Sequence, residues 1–245
     1  MGRSSAREVD VTPPRSGAWR SSFGGGPSRE WFRRPVPEVA RALLGQRVVS
    51  EVEGTRTSGR IIETEAYLGE EDPASHAAVR AGRTHRNASM FEAGGHAYLY
   101  FTYGMHWCLN VVTGARGEAG AVLVRALEPM EGLEAMQRRR EGRAPLTAGP
   151  ARLCQALGLD GSLDGHRLDR SPLRIEFDRA VSDGEVGVSV RIGIRKATEW
   201  PLRWFVRGHP DLSRHGLPEG SAEAMPPSVR DALPTLPRTP EDRPE

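Results

Sequence analysis

Cysteine, lysine and long apolar runs are all scarce in this sequence. Only Cys108 and Cys154 are present among 245 residues, so neither a disulfide scaffold nor a four-cysteine zinc site can be built from the chain's own thiols. No apolar run approaches the ~20 residues that span a bilayer, and the first twenty residues lack the apolar stretch of a secretory signal. Neither membrane attachment nor secretion is expected, and in a prokaryote the expected place is the cytoplasm. Of 34 basic residues Lys196 alone is a lysine, an imbalance that a GC-rich genome explains and that leaves very few side-chain amines as nucleophiles. A Walker phosphate loop, dinucleotide-binding GxGxxG spacing and the G-x-S-x-G elbow of hydrolases are also absent. A Ser-His-Asp triad assembled only by folding stays open. No cofactor and no metal is expected.

What is present suffices for a core: 38% of residues are hydrophobic and 27% charged. The length suits one large domain or two small ones. The net charge is +2, but residues 1–34 carry seven Arg against three acids, and residues 219–245 carry six acids against three Arg. The middle is nearly neutral, so a nucleic-acid partner would need a local basic groove. Composition predicts a disordered Arg/Gly/Pro/Ser-rich arm over 1–34, a folded domain over 35–215 and a disordered Pro-rich acidic tail over 216–245. Within the domain, Val36, Val39, Ala40, Leu43 and Leu44 recur at helical spacing and Gly45 supplies the stop. Strands are predicted at 48–52, 60–67, 97–102, 107–112 and 121–127, and later at 173–177, 186–194 and 202–206. Helices are predicted at 130–140 and 150–157. The expected fold is α+β: one domain with a curved, largely antiparallel sheet, flanking helices and a protruding hairpin.

The chemistry concentrates in one region. All four tyrosines (Tyr67, Tyr98, Tyr100 and Tyr103) fall within 37 residues, together with His76, His85, His96 and Asn87. In RIIETEAYLG, a period of two places Glu63, Glu65 and Tyr67 on one face, opposite Ile62, Thr64 and Ala66. A carboxylate beside an aromatic ring can serve as a general base toward water while the ring holds a flat ligand; the alternative is that both glutamates face solvent. AYLYFTYGMHWCLNVV reads as a hairpin turning at Tyr103-Gly104-Met105-His106. Tyr98 and Tyr100 share a face, and Tyr103 at the tip is either a wedge for stacked bases or a ring lying back on its own sheet. Asn110 could read a base edge or satisfy backbone groups. Cys108 reads as structural. Arg125, among Ala121, Leu123 and Leu127, needs a carboxylate or phosphate partner. Arg138, Arg139, Arg140, Arg143 and Arg152 form either a phosphate-contacting rim or a solvated helix face, and the helix opening at Pro150 has free N–H groups for a phosphate. Glu70, Glu71, Asp72 and His76 match no metal-binding spacing and read as a solvated loop.

Together these blocks resemble the alkyladenine (3-methylpurine) DNA glycosylase family. The similarity runs in order from ARALLGQ at 40–46 through RIIETEAYLG at 60–69, DPASHA at 72–77 and RNASMF at 86–91 to AYLYFTYGMHWCLNV at 97–111. It continues through VRALEP at 124–129, GPARLCQALGL at 149–159 and PLRWFVRG at 201–208. The resemblance implies a monofunctional glycosylase that acts on damaged, alkylated or deaminated purines in double-stranded DNA, as a monomer and, in a prokaryote, on the nucleoid through that DNA. Glu65 falls on the position of the group that deprotonates the attacking water, with Arg125 and the carbonyl of Val206 holding that water. Tyr67, His76 and Tyr100 match the sandwich for the flipped base, with Tyr98 nearby. Asn110 matches the group that rejects the guanine 2-amino substituent, and Tyr103 the residue that fills the gap in the duplex. Arg83, Arg86, Met105 and Arg152 are the expected DNA-backbone contacts. Trp107, His106 and His85 depart from the family pattern. Because Lys196 lies outside the tyrosine-rich segment, base removal without strand cleavage is expected. The rivals are a non-catalytic module that senses distorted duplex and a metal-dependent hydrolase.

Overall fold

The computed structural model describes residues 25–77, 82–102, 104–231 and 233. Two helices, α1 (Arg29–Phe32) and α2 (Val36–Leu43), lead into strands β1 (Arg47–Ser50) and β2 (Thr57–Tyr67). The hairpin β3 (Ala97–Thr102) and β4 (His106–Thr113) follows, then the long β5 (Gly120–Glu131). Helices α3 (Leu133–Arg139) and α4 (Pro150–Leu157) come next, followed by β6 (Asp169–Arg170), β7 (Leu173–Glu176), β8 (Val186–Ser189), β9 (Arg203–Val206) and α5 (Pro227–Arg230). The strands form one curled antiparallel sheet in the order β3-β4-β5-β2-β1-β7-β6, with β9 also on β2 and β8 on β9. The α+β expectation holds.

Strand β2 positions the site. One edge pairs with β5; the other pairs first with β1 and then, from Glu63 to Glu65, with β9. Both faces are covered, so nearly every residue of the strand is buried, charged ones included. On one side α2 lays Val39, Ala40 and Leu43 against Ile61, Ala66, Val122 and Val124, and α4 adds Leu153 and Leu157. Burying each of these valine, leucine and isoleucine side chains contributes about 1.5–3 kcal/mol. Helix α4 starts and stops as its sequence dictates, with Pro150 in the first turn and Gly158 capping it at φ 70°. Gly45, just after α2, has φ +84°, and a Cβ there would meet the Arg179 carbonyl oxygen at 2.2 Å.

Four expectations need correction. The chain is already folded inside the expected N-terminal arm: α1 lies within 1–34, and Phe32 is 1% exposed in the main core. The expected acidic tail also contributes, because Met225 and Val229 are buried and the Trp200 indole N–H donates to the Ala224 carbonyl. A few well-placed apolar residues outweigh a polar, proline-rich average. Helix α3 starts at Leu133 rather than Met130, since β5 runs on to Glu131, whose carboxylate accepts the Ser58 hydroxyl at 2.6 Å. Finally, β8 ends at Ser189, and 190–194 leave the sheet to reach the site.

Candidate active site

Alternation on β2 turns Glu63, Glu65 and Tyr67 to one side, but two register shifts in the β2–β5 ladder flank Glu63 and leave Ile62 and Arg125 as the extra residues. Bulges of this kind re-aim side chains. Here Ile62 turns away from the main core to pack with Ala126 and Leu212, contrary to strict alternation. Arg125 turns toward the two glutamates, its Nη1 3.2 Å from Glu65 Oε2 and its Nε 3.1 Å from Glu63 Oε1. Both carboxylates are 0% exposed, which rules out the solvent-facing alternative.

Glu65 is held from three directions. Its Oε2 accepts from Arg125 and from the Tyr67 hydroxyl at 2.9 Å, and its Oε1 accepts the Ile192 backbone N–H at 2.7 Å. A buried carboxylate is tolerable only with such partners. Burial, reinforced by the neighbouring Glu65 charge, pushes the Tyr67 hydroxyl well above the ordinary phenol range, so it stays a donor.

Tyr67, Arg125 and Ile192 form part of the wall of a cavity of about 580 Å³, directly in front of Glu65. His76, Tyr98, Tyr100, Cys108 and Asn110 line the same cavity. The His76 and Tyr100 rings stack with centroids 3.9 Å apart, and His76 Nδ1 lies 3.1 Å from the Tyr98 hydroxyl. His76 is open to the cavity on one side, while the packing of its other side and the Arg86 guanidinium hold its pKa below the usual imidazole range. Asn110 donates its amide N–H groups to the Tyr98 and Cys108 carbonyls at 3.0 and 3.2 Å. Two acceptors on one side fix the amide's orientation and leave its oxygen as the free acceptor. Burial raises the Cys108 thiol to about 11, so it stays protonated, as a structural cysteine does. A flat aromatic slot with a buried carboxylate behind one wall can hold a planar base and supply negative charge where the base joins its sugar.

The family model for methylpurine-DNA glycosylase matches residues 30–210. The chain belongs to the methylpurine-DNA glycosylase family. A protein of Chlorobaculum parvum that carries the name 3-methyladenine DNA glycosylase is 45% identical over 196 residues, covering 78% of this chain and 92% of its own. So named proteins of Salinibacter ruber and Carboxydothermus hydrogenoformans are 48% and 43% identical, covering 72% and 76% of this chain and 90% and 97% of theirs. This is a DNA-repair glycosylase, a hydrolase of N-glycosidic bonds that removes alkylated bases.

The glycosylase brings together Glu65, Tyr67, His76, Tyr98, Tyr100, Asn110 and Arg125, as expected. Val206 is not among them. It packs beside Ile62 and Leu212, and its carbonyl lies 3.4 Å from the His209 N–H. The main chain that reaches Glu65 belongs to Ile192 instead. Tyr103 lies outside the described residues. Met105, two positions further along the sequence, is 69% exposed, and Arg83, Arg86 and Arg152 are exposed. The expected arginine rim splits: Arg139 and Arg140 turn inward to the Ala156 carbonyl and the Gln155 side chain, while Arg138, Arg143 and Arg152 face out. Lys196, remote from the tyrosines in sequence, lines the cavity, so the chain's one lysine is not excluded from the site by position.

Several residues of the glycosylase escaped sequence reasoning. Asp72 is no solvated loop residue: it is 0% exposed, receives the Leu68 and Ala74 N–H groups, and pairs with Arg191, whose guanidinium lies 4.8 Å from the Tyr67 ring centre. Asn87 donates to the His76 carbonyl at 3.0 Å and fixes that loop. The only sequence signal for Arg191 was a charge inside an apolar strand-like run. Among the described residues, no group of three or more His, Cys, Asp or Glu side chains could hold a metal. No helix there is long and apolar enough to cross a membrane.

Proposed function

We propose that this glycosylase flips alkylated or deaminated purines out of duplex DNA and hydrolyses the N-glycosidic bond with water, acting as a monomer and without cutting the strand. The observation that carries this reading is the buried Glu65 carboxylate fixed by Arg125, Tyr67 and the Ile192 N–H directly behind an aromatic cavity. A base inside the stack cannot be reached, so rotating it out costs a few kcal/mol. Tyr103 would offset that cost by filling the gap, while Arg83, Arg86, Met105 and Arg152 contact the flanking backbone. The extruded base lies between Tyr67 and the stacked His76–Tyr100 pair, and Tyr98 keeps His76 in place. Asn110, pinned by two hydrogen bonds, cannot move aside for a 2-amino group. That excludes undamaged guanine.

Glu65 takes a proton from a water bracketed by Arg125 and the Ile192 main chain. It also stabilises the positive charge that grows on the sugar as the base departs. Alkylated purines already carry positive charge, which aromatic faces favour and which makes them ready leaving groups. Hypoxanthine lacks that charge and leaves more slowly. Substrate on the bacterial chromosome puts the enzyme in the cytoplasm. The test is release of free base from a duplex with one defined lesion, in excess EDTA, followed by a denaturing gel without alkali. Intact strand with released base is the expected result. Loss of activity in EDTA, or a nicked strand, would overturn the hydrolytic, monofunctional reading.

A further inference from the structure

Glu63 is as deeply buried as Glu65, neither side chain is itself part of the cavity wall, and the chemistry above makes no use of Glu63. Its Oε1 accepts from Arg125 Nε at 3.1 Å, Arg203 Nε at 2.8 Å and the Ser213 hydroxyl at 2.7 Å. Its Oε2 accepts the Ser213 backbone N–H at 2.6 Å. Arg203 in turn donates to the Ser189 hydroxyl and the Arg214 carbonyl, both at 2.7 Å. Arg203, Glu63, Arg125 and Glu65 thus form a row of alternating charge, none of them more than 8% exposed. A guanidinium can offer a carboxylate either its Nε edge or its Nη end. With Nε held by Glu63 and Ser213, only the Nη1 end of Arg125 turns to Glu65.

We propose that Glu63 is a positioning residue of the glycosylase: it clamps Arg125 by the Nε edge, so that Arg125 meets Glu65 through one hydrogen bond instead of closing on it with two. The loop after β9 takes part through Ser213. Released from the clamp, Arg125 swings into a bidentate pair with Glu65 and occupies the lone pairs that must face the water. Glu63 also balances two buried cations, and without it Arg125 and Arg203 share a single carboxylate.

This inference rests on Glu65 being the general base, so the experiment includes Glu65→Gln. Full-length protein is mixed in excess with a duplex carrying one hypoxanthine, and the single-turnover rate of base release is measured beside the Kd for that duplex. Glu63→Gln should slow base release about 100-fold and leave Kd within about 3-fold, the split expected when transition-state stabilisation is lost and binding is not. Ser213→Ala, which removes one donor and no charge, should slow it about 10-fold. In an Arg125→Met background, Glu63→Gln should cost less than about 3-fold more, because Glu63 acts through Arg125. Fully multiplicative losses, or a wild-type rate for Glu63→Gln, would overturn the proposal. If Glu63→Gln fails to fold, Ser213→Ala decides: a wild-type rate overturns the proposal and a slowed rate at unchanged Kd supports it. An active Glu65→Gln would sink the general-base reading itself; an inactive one beside an unaffected Glu63→Gln sinks only the clamp.

Discussion

The Asp72–Arg191 pair offers a stability test whose size follows from its burial. Both side chains are 0% exposed, and Asp72 also receives two backbone N–H groups. Asp72→Asn keeps the shape and removes the charge, leaving Arg191 buried without a counter-ion. Breaking a buried pair from one side costs about 3–5 kcal/mol. For a chain of this size each kcal/mol lowers Tm by about 2–4 °C, so the variant should melt about 6–20 °C below wild type. Asp72→Asn combined with Arg191→Met removes both charges and should recover most of that loss. A residue of about 1 kcal/mol remains because the Ala66 carbonyl also loses its Arg191 donor. Thermal unfolding followed by circular dichroism at pH 7 measures all three proteins. A fall under about 2 °C for Asp72→Asn, or a double variant no better than the single, would refute the reasoning. Lesion binding by the double variant adds a second reading, since Tyr67 loses the cation behind its ring.

Three further outcomes follow from the same geometry. The pKa of His76 is depressed, so the folded protein keeps a neutral ring where the unfolded chain, with a pKa near ~6.5, takes a proton. Its contribution to stability is therefore whole above about pH 6.5 and lost as pH falls from there toward the lowered value. Once protonated, the ring repels a cationic base, so binding of a duplex containing 3-methyladenine should weaken on acidification more than binding of a hypoxanthine duplex; a difference that persists in His76→Phe would refute this. Asn110→Ala opens the space of the amide, and release of undamaged guanine should rise about 10-fold in a single-turnover assay; no rise would remove Asn110 from discrimination. Lys196→Arg keeps the charge and abolishes amine chemistry, so base release should stay within about 2-fold of wild type.

Much of the fold was legible because its signals are local. The β3–β4 hairpin spans Ala97–Thr113 with a turn between, and its alternation places Tyr98, Tyr100, Cys108 and Asn110 correctly. Helix α4 is bounded by its own Pro150 and Gly158. The placement of Glu65 and Tyr67 on one face also held, because a period of two survives bending. What sequence could not supply were partners from afar. Glu65 looks solvent-facing until Arg125 arrives from 60 residues away, Glu63 until Arg203 arrives from 140, and Asp72 until Arg191 arrives from 119. Residues 190–194 read as strand because Val190, Ile192 and Ile194 alternate, yet Arg191 and the Ile192 N–H pull that segment out of the sheet. The resemblance implied a water-holding carbonyl at Val206, whereas the main chain that reaches Glu65 is that of Ile192. Elimination by sequence distance failed likewise for Lys196, which folding returns to the cavity wall.

The most direct measurement is the single-turnover rate of 3-methyladenine release from methylated duplex DNA by wild type and by Glu65→Gln, with the Kd of each for the same duplex. Wild type should release the base, and the variant should do so at least about 100-fold more slowly at comparable affinity. Release by Glu65→Gln at near the wild-type rate would mean that Glu65 is not the general base.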